Sequence, residues 1–250
     1  MPIIARFRAI EDKDKASAVR TLIENSTPNF DFFYFVGLSI TMATLGLLAD
    51  SPSIVIGSML IAPLLYPILA LALGFVMSDI SVISRSLKTL TTSLGLCLFL
   101  SVLATLFFGS GDITNEVLLR TEPTLLHLLV AVIAGAAVAY ALAQPEWSAT
   151  LPGIAISVAL IPPLAVVGVG IASFNMAIIT GSAVMLLMNF IGIVFAAMVS
   201  FSLMDLHAKQ NIAQSTIVKV AEKETKENAA IAEVLDNELK KNNNGDNENK

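Results

Sequence analysis

Apolar stretches alternate with short polar gaps along the middle of the chain. They cover residues 31–49, 53–77, 89–108, 124–143, 150–173 and 176–203. Between Tyr34 and Met204 the formal charges are Asp50, Asp79, Arg85, Lys88, Asp112, Glu116, Arg120, Glu122 and Glu146, all in the gaps. About twenty helical residues cross a hydrocarbon core, so each stretch predicts a membrane span. The short gaps favour a compact bundle of helices over a β-barrel. The expected fold is all-α: a polytopic membrane helical bundle of six spans over 31–203.

The flanks read differently. Residues 1–30 form a short segment with one amphipathic helix around Lys13 to Ile23, ending near Ser26-Thr27-Pro28-Asn29. Its mixed charge does not fit a cleavable signal peptide, so the first apolar stretch is expected to be a retained span. Residues 204–241 predict a charged helix rich in Ala, Glu and Lys. Ile231, Leu235 and Leu239 share one face there. That face suits a solvated helix resting on the membrane domain, or a weak oligomerisation stripe of a homo-oligomer. The last stretch, 242–250, reads NNNGDNENK and is expected to be disordered.

Lysine and arginine orient the spans. Arg6, Arg8, Lys13, Lys15 and Arg20 precede span one, Arg85 and Lys88 lie between spans two and three, and the tail is lysine-rich. The opposite side holds only Arg120. Both termini and the 78–88 loop are therefore expected in the cytoplasm, with the protein in the cell membrane.

The two halves echo each other. Residues 52–64 read PSIVIGSMLIAPL and residues 152–164 read PGIAISVALIPPL, with seven of thirteen aligned positions identical. Pro63 pairs with Pro163 in this register of 100 positions. A proline deep in a helix cannot donate its backbone hydrogen bond and breaks or kinks the helix. Spans two and five are thus predicted to be proline-broken, with kinked through-helices or re-entrant segments that enter and leave on one side as the alternatives. Three spans per half is an odd number. Duplicated halves, about 31–108 and 124–203, would then insert in opposite directions, as in many secondary transporters. Each proline lies eleven residues after the one opening its span. That is roughly 16 Å at about 1.5 Å per residue, near the midplane of a core about 30 Å thick.

Composition narrows the chemistry. The chain is 55% hydrophobic and 14% charged, well below the charge of a soluble domain. Cys97, the lone cysteine, permits no intrachain disulfide. No Asp, Glu, Lys or Arg lies mid-span, where proton-coupled carriers usually need one. No phosphate loop, zinc motif or HExxH is present, and His127 and His207 are the only histidines. An enzyme is not expected, nor a metal, cofactor or nucleic-acid partner.

The site predicted for a small solute or ion lies at the two breaks, where freed helix ends carry partial charges. Its residues are Ser58, Ala62, Pro63, Tyr66 and Pro67 in the first half. Ser157, Ile161, Pro162, Pro163 and Asn189 supply the second. Asn189 fits equally well as an interhelical hydrogen bond that only holds the bundle together. Asp50 and Tyr140 are candidates for a gate or pathway mouth, and Asp50 also suits a helix cap.

These motifs carry a resemblance. Ala43-Thr44-Leu45-Gly46-Leu47, Asp50-Ser51, Ile56-Gly57-Ser58-Met59-Leu60-Ile61-Ala62-Pro63-Leu64 and Pro67-Ile68 come first. Arg120-Thr121-Glu122-Pro123, Ala134-Gly135-Ala136, Ala155 through Leu164 and Asn189 follow. Over about residues 31–200 the chain resembles the bacterial and archaeal hydrophobic membrane family known as domain of unknown function 389. The resemblance implies a membrane protein without assigned substrate or catalytic residues. The expected function is transport or channel-like passage of a small solute or ion through the bilayer. The alternative is a structural or regulatory subunit that scaffolds partners through its tail.

Overall fold

A computed structural model of the chain describes residues 10–144 and 152–248, with side chains over 10–144 and 160–232. Helix α1 (Asp12–Asn25) lies before α2 (Phe30–Leu48). The next apolar stretch divides into α3 (Pro52–Met59) and α4 (Leu65–Met77). Then come α5 (Ile80–Phe108), the short α6 (Asn115–Leu118) and α7 (Leu125–Leu142). Helices α8 (Pro152–Ala172) and α9 (Met176–Leu203) complete the bundle. A 3₁₀ turn, Leu206–Lys209, leads into α10 (Gln210–Glu248).

Among the described residues, α2, α5, α7 and α9 are long and apolar enough to cross a membrane, and α4 and Leu160–Ala172 are shorter apolar helices. The surface agrees with their composition. Leu187, Ile191, Phe195 and Val199 recur every fourth residue on α9 and are all exposed. A water-soluble monomer rarely leaves such a stripe open. Lipid is the solvent this surface suits.

The third apolar helix begins nine residues before the expected start at 89. Asp79 accepts hydrogen bonds from the Ser81 and Val82 amides at 2.9 and 3.3 Å and so caps α5. Helix formation needs a cap and backbone geometry, not apolar side chains. The turns holding Arg85 and Lys88 are therefore helical although too polar to read as a span.

The two proline segments behave differently. The first half is interrupted at residues 60–64, leaving eight helical residues before the gap and thirteen after it. Helix α8 has 21 residues and passes through Pro162 and Pro163 without a break. The break expected at 161–163 is therefore absent. Prolines at 162 and 163 remove two amide donors, but helices tolerate this in membranes where neighbours re-satisfy the freed carbonyls. In α4, Pro67 stands in the first turn, where no amide donor is needed.

One turn geometry recurs three times. After Gly74, Ser78 adopts a left-handed φ of 52° and the Asp79 amide returns to the Gly74 carbonyl at 3.0 Å. After Gly170, Phe174 adopts the same φ of 52° and the Asn175 amide returns to Gly170 at 2.9 Å. After Gly46, Asp50 has φ 48° and the Ser51 amide returns to Gly46 at 2.9 Å. This is the Schellman closure followed at once by the next helix. The glycine admits that helix: a Cβ on Gly74 would lie 2.8 Å from Ile83, and one on Gly170 2.9 Å from Ile178.

Helix α1 packs through Val19, Leu22 and Ile23 into a core cluster with Leu69 and Leu73 of α4 and Phe201 of α9. The α4–α5 turn lies beside α10, since Asp79 also accepts from Gln210 and Gln214 at 3.3 and 3.2 Å. One end of the bundle, the tail end, thus holds α1, residues 78–79 and the start of α10. The far end holds Asp50, α6 and the α8–α9 turn. Helix α10 continues to Glu248 across the stretch expected to be disordered from 242. Once nucleated, a helix propagates through poor formers at well under about 1 kcal/mol each, glycine costing about that much. The side chains of Leu235 and Leu239 lie outside the described residues, whereas Ile231 is exposed.

Candidate functional site

The interruption closes on itself. The Leu60 amide donates to Gly57 at 3.3 Å and the Ile61 amide to Ser58 at 3.2 Å. The Ser58 carbonyl also receives the Ser39 hydroxyl of α2 at 2.6 Å. Leu64 opens α4 without a side-chain cap. Ala62 and Leu64 turn inward, into the same buried cluster as Ile161 and Leu164. The two echoing motifs therefore meet, but through apolar side chains.

A polar crevice reaches the interruption from the tail end. Pro63 and Tyr66 close a cavity of about 170 Å³ whose other walls include Glu24, Thr27, Asn29 and Asp31. The same Glu24, Thr27 and Asn29 line an adjoining cavity of about 410 Å³ against Lys219, Lys223 and Glu227 of α10. Arg85 anchors that wall: its guanidinium donates to Thr27 Oγ1 at 3.1 Å and pairs with Glu224 at 3.2 Å.

A further cavity lies elsewhere and is apolar. About 430 Å³ is enclosed between the α4–α5 and α8–α9 hairpins. Its lining falls into pairs 96 positions apart. Leu64, which caps α4, and Leu160 of α8 form one pair, and Ile68 of α4 with Leu164 of α8 another. Leu90 and Leu186, with Leu94 and Phe190, form walls from α5 and α9. Leu87 and Ala183, with Thr91 and Leu187, form the rim. The turns share this register, since Ser78 and Phe174 are also 96 apart. It differs by four residues from the 100 of the motif echo. The difference is about one helical turn, and the first half is unwound at residues 60–64 while α8 is continuous. In this register Pro163 corresponds to Pro67, not Pro63.

The remaining predicted residues are scattered. The Ser58 hydroxyl is buried and donates back to Val55 at 2.6 Å, so it lines no crevice. Pro67, Pro162 and Pro163 are buried. Asn189 is 5% exposed, inside α9, and already has a partner. Tyr140 stands two residues from the tail end of α7 and its hydroxyl receives Gln144 at 3.4 Å. Asp50 caps a helix, but not α3: it accepts the Glu116 amide of α6 at 2.9 Å and Asn115 at 3.3 Å. The Ser157 side chain lies outside the described residues.

Sequence reasoning missed a hydroxyl chain joining three helices. Thr44 of α2 donates to Ser101 of α5 at 3.0 Å, and Ser101 donates to the Ala165 carbonyl of α8 at 2.9 Å. A Cβ on Gly168 would collide with Ser101. Single hydroxyls in apolar stretches give no signal, because each can bond to its own helix. The Gly168 position was the available hint.

Apolar stripes, capped helices and close glycine contacts define an integral membrane helical bundle. Residues 59–195 match the family described as Domain of unknown function (DUF389), and the chain belongs to that family. It is 31% identical over 165 residues to Uncharacterized protein MJ0678 of Methanocaldococcus jannaschii, covering 66% of this chain and 51% of that protein. The chain thus spans about half the length of the curated relative it matches. No solved structure matches it.

Proposed function

We propose that this chain is a transporter or channel-like protein for a small solute or ion, with its site at the interrupted helix. The carrying observation is the polar crevice that runs from the tail end to Pro63 and Tyr66, at the gap between α3 and α4. A helix interrupted inside a membrane belongs where it is buried in protein or lines a cavity. In this reading the bundle crosses the cell membrane six times as two inverted repeats, and the tail end is cytoplasmic. The 96-residue register of turns and cavity walls supports the repeat. Lys13, Lys15, Arg20, Arg85 and Lys88 near the tail end, against Arg120 at the far end, support the orientation.

Flux into proteoliposomes tests the reading, with monovalent cations, anions and small neutral solutes each offered. Pro63→Ala is expected to reduce flux strongly and Pro163→Ala to change it little, because only the first half is interrupted. Wild-type protein that passes none of these solutes would overturn it.

A second reading rests on α10. From Lys226 to Ala232 its described side chains are all exposed, which suits a partner surface on a structural or regulatory subunit. Truncation after Asp205 should then change the partners recovered, with the membrane domain intact.

A further inference from the structure

We propose that the apolar slot between the α4–α5 and α8–α9 hairpins binds one hydrocarbon chain, an acyl chain of a bilayer lipid. This stands apart from the transport reading, whose crevice is lined by other residues. The floor is closed by Leu64, Leu90, Leu160 and Leu164, each no more than 6% exposed. The rim residues Leu87, Thr91, Ala183 and Leu187 are exposed. Leu187 belongs to the α9 stripe that continues through Ile191 and Phe195, so the slot opens onto the lipid-facing surface.

Chemistry excludes a polar occupant. Thr91 carries the one polar side chain in the lining, and its hydroxyl already donates to the Leu87 carbonyl of its own helix. A bound water needs two to four polar partners and finds none free here. A polar solute would lose its hydration without replacement. At about 430 Å³ the space lies within the usual range of ligand cavities. Left empty, it would forfeit dispersion contacts along its whole lining.

Depth selects the lipid tail. Leu87 lies seven residues into α5 and Ala183 seven residues into α9, and these helices start from opposite ends of the bundle. Each position is roughly 10 Å in from its end. The slot therefore reaches from beside Lys88, at the polar edge of the apolar stretch, past the middle of the bundle, along the depth that an acyl chain occupies below its headgroup.

The test places the full chain in nanodiscs of phosphatidylcholine that carries a photoactivatable diazirine near the end of its acyl chain. After illumination, labelled peptides are mapped by mass spectrometry. Labelling should concentrate on residues 87–94 and 183–190, severalfold above Ile133 and Phe195, which face lipid outside the slot. Thr91→Trp and Ala183→Trp each fill the rim from an exposed position. They should abolish the enrichment and leave Ile133 and Phe195 labelled as before. Even labelling of all lipid-facing residues in the wild type would overturn the proposal, as would enrichment that survives in both filled variants. In a parallel arm, Ala183→Cys reports on a second copy: disulfide-linked dimers through the slot would assign it to that copy instead and would also overturn the proposal.

Discussion

Gly135, Gly168 and Gly95 are all helical, yet their surroundings differ. A Cβ on Gly135 would stand 2.9 Å from the Cα and carbonyl oxygen of Ile193, both backbone, so α7 and α9 must separate. Gly135→Ala should destabilise by about 1–3 kcal/mol in thermal unfolding. Gly95→Ala meets nothing within 4 Å and should stabilise by about 0.5–1 kcal/mol by restricting the unfolded chain and favouring helix. Asp79 gives a pH signature. Burial alone would raise its pKa, but hydrogen bonds from Gln210, Gln214, Val82 and Ser81 outweigh it and hold the carboxyl below its ordinary value. A lowered folded pKa contributes stability above the unfolded value, about 3.9, and loses it as pH falls through the folded value. Wild-type melting temperature should therefore drop in that acid window, and Asp79→Asn should flatten the dependence on this group. Of these residues, sequence placed Asp79 only as a gap charge. Its cap role was readable from the Asp before a helical run. Its two glutamine partners, more than 130 positions away, were not.

At the scale of elements, polar contacts fasten α10 to the bundle through Asp79 with Gln210 and Gln214 and Arg85 with Glu224, and the 3₁₀ turn before it through Lys209 with Asp12 at 3.1 Å. Partly exposed ion pairs contribute no more than about 1 kcal/mol each. Arg85→Ala should therefore leave the fold intact while raising hydrogen exchange in residues 26–29 and along α10. Unchanged exchange in both would show that Arg85 does not fasten them. The helices themselves were legible, because apolar runs of this length admit little else in lipid. The fate of the prolines was not. Pro63 and Pro163 carry the same local rule, but one lies in a gap and the other inside a continuous helix. The first proline falls beside residues that leave the helix at 60–64, whereas neighbouring helices carry the second within an unbroken one.

For the whole molecule, the shared end of α1, residues 78–79 and α10 makes a topological prediction. Lys88→Cys and Asp112→Cys, both at exposed positions, should react with a membrane-impermeant maleimide from opposite sides of the bilayer. Buried Cys97 serves as a silent background. Labelling of both from one side would exclude an odd number of crossings between them. The candidate crevice and the apolar slot are properties at this scale. Each gathers residues from at least three helices, so no local stretch announces either one.

By itself the sequence determined that this is a membrane helical bundle and where most of its apolar helices run. Hydrophobic length, charge placement and proline spacing act locally and survive in one dimension. Tertiary structure alone decided that, among the described residues, the first proline segment is interrupted and the second is not, that the motifs meet through apolar side chains rather than across a polar space, and that cavity walls and turns recur 96 positions apart. Those outcomes depend on which surfaces face each other. Packing selects them only after every helix has already formed.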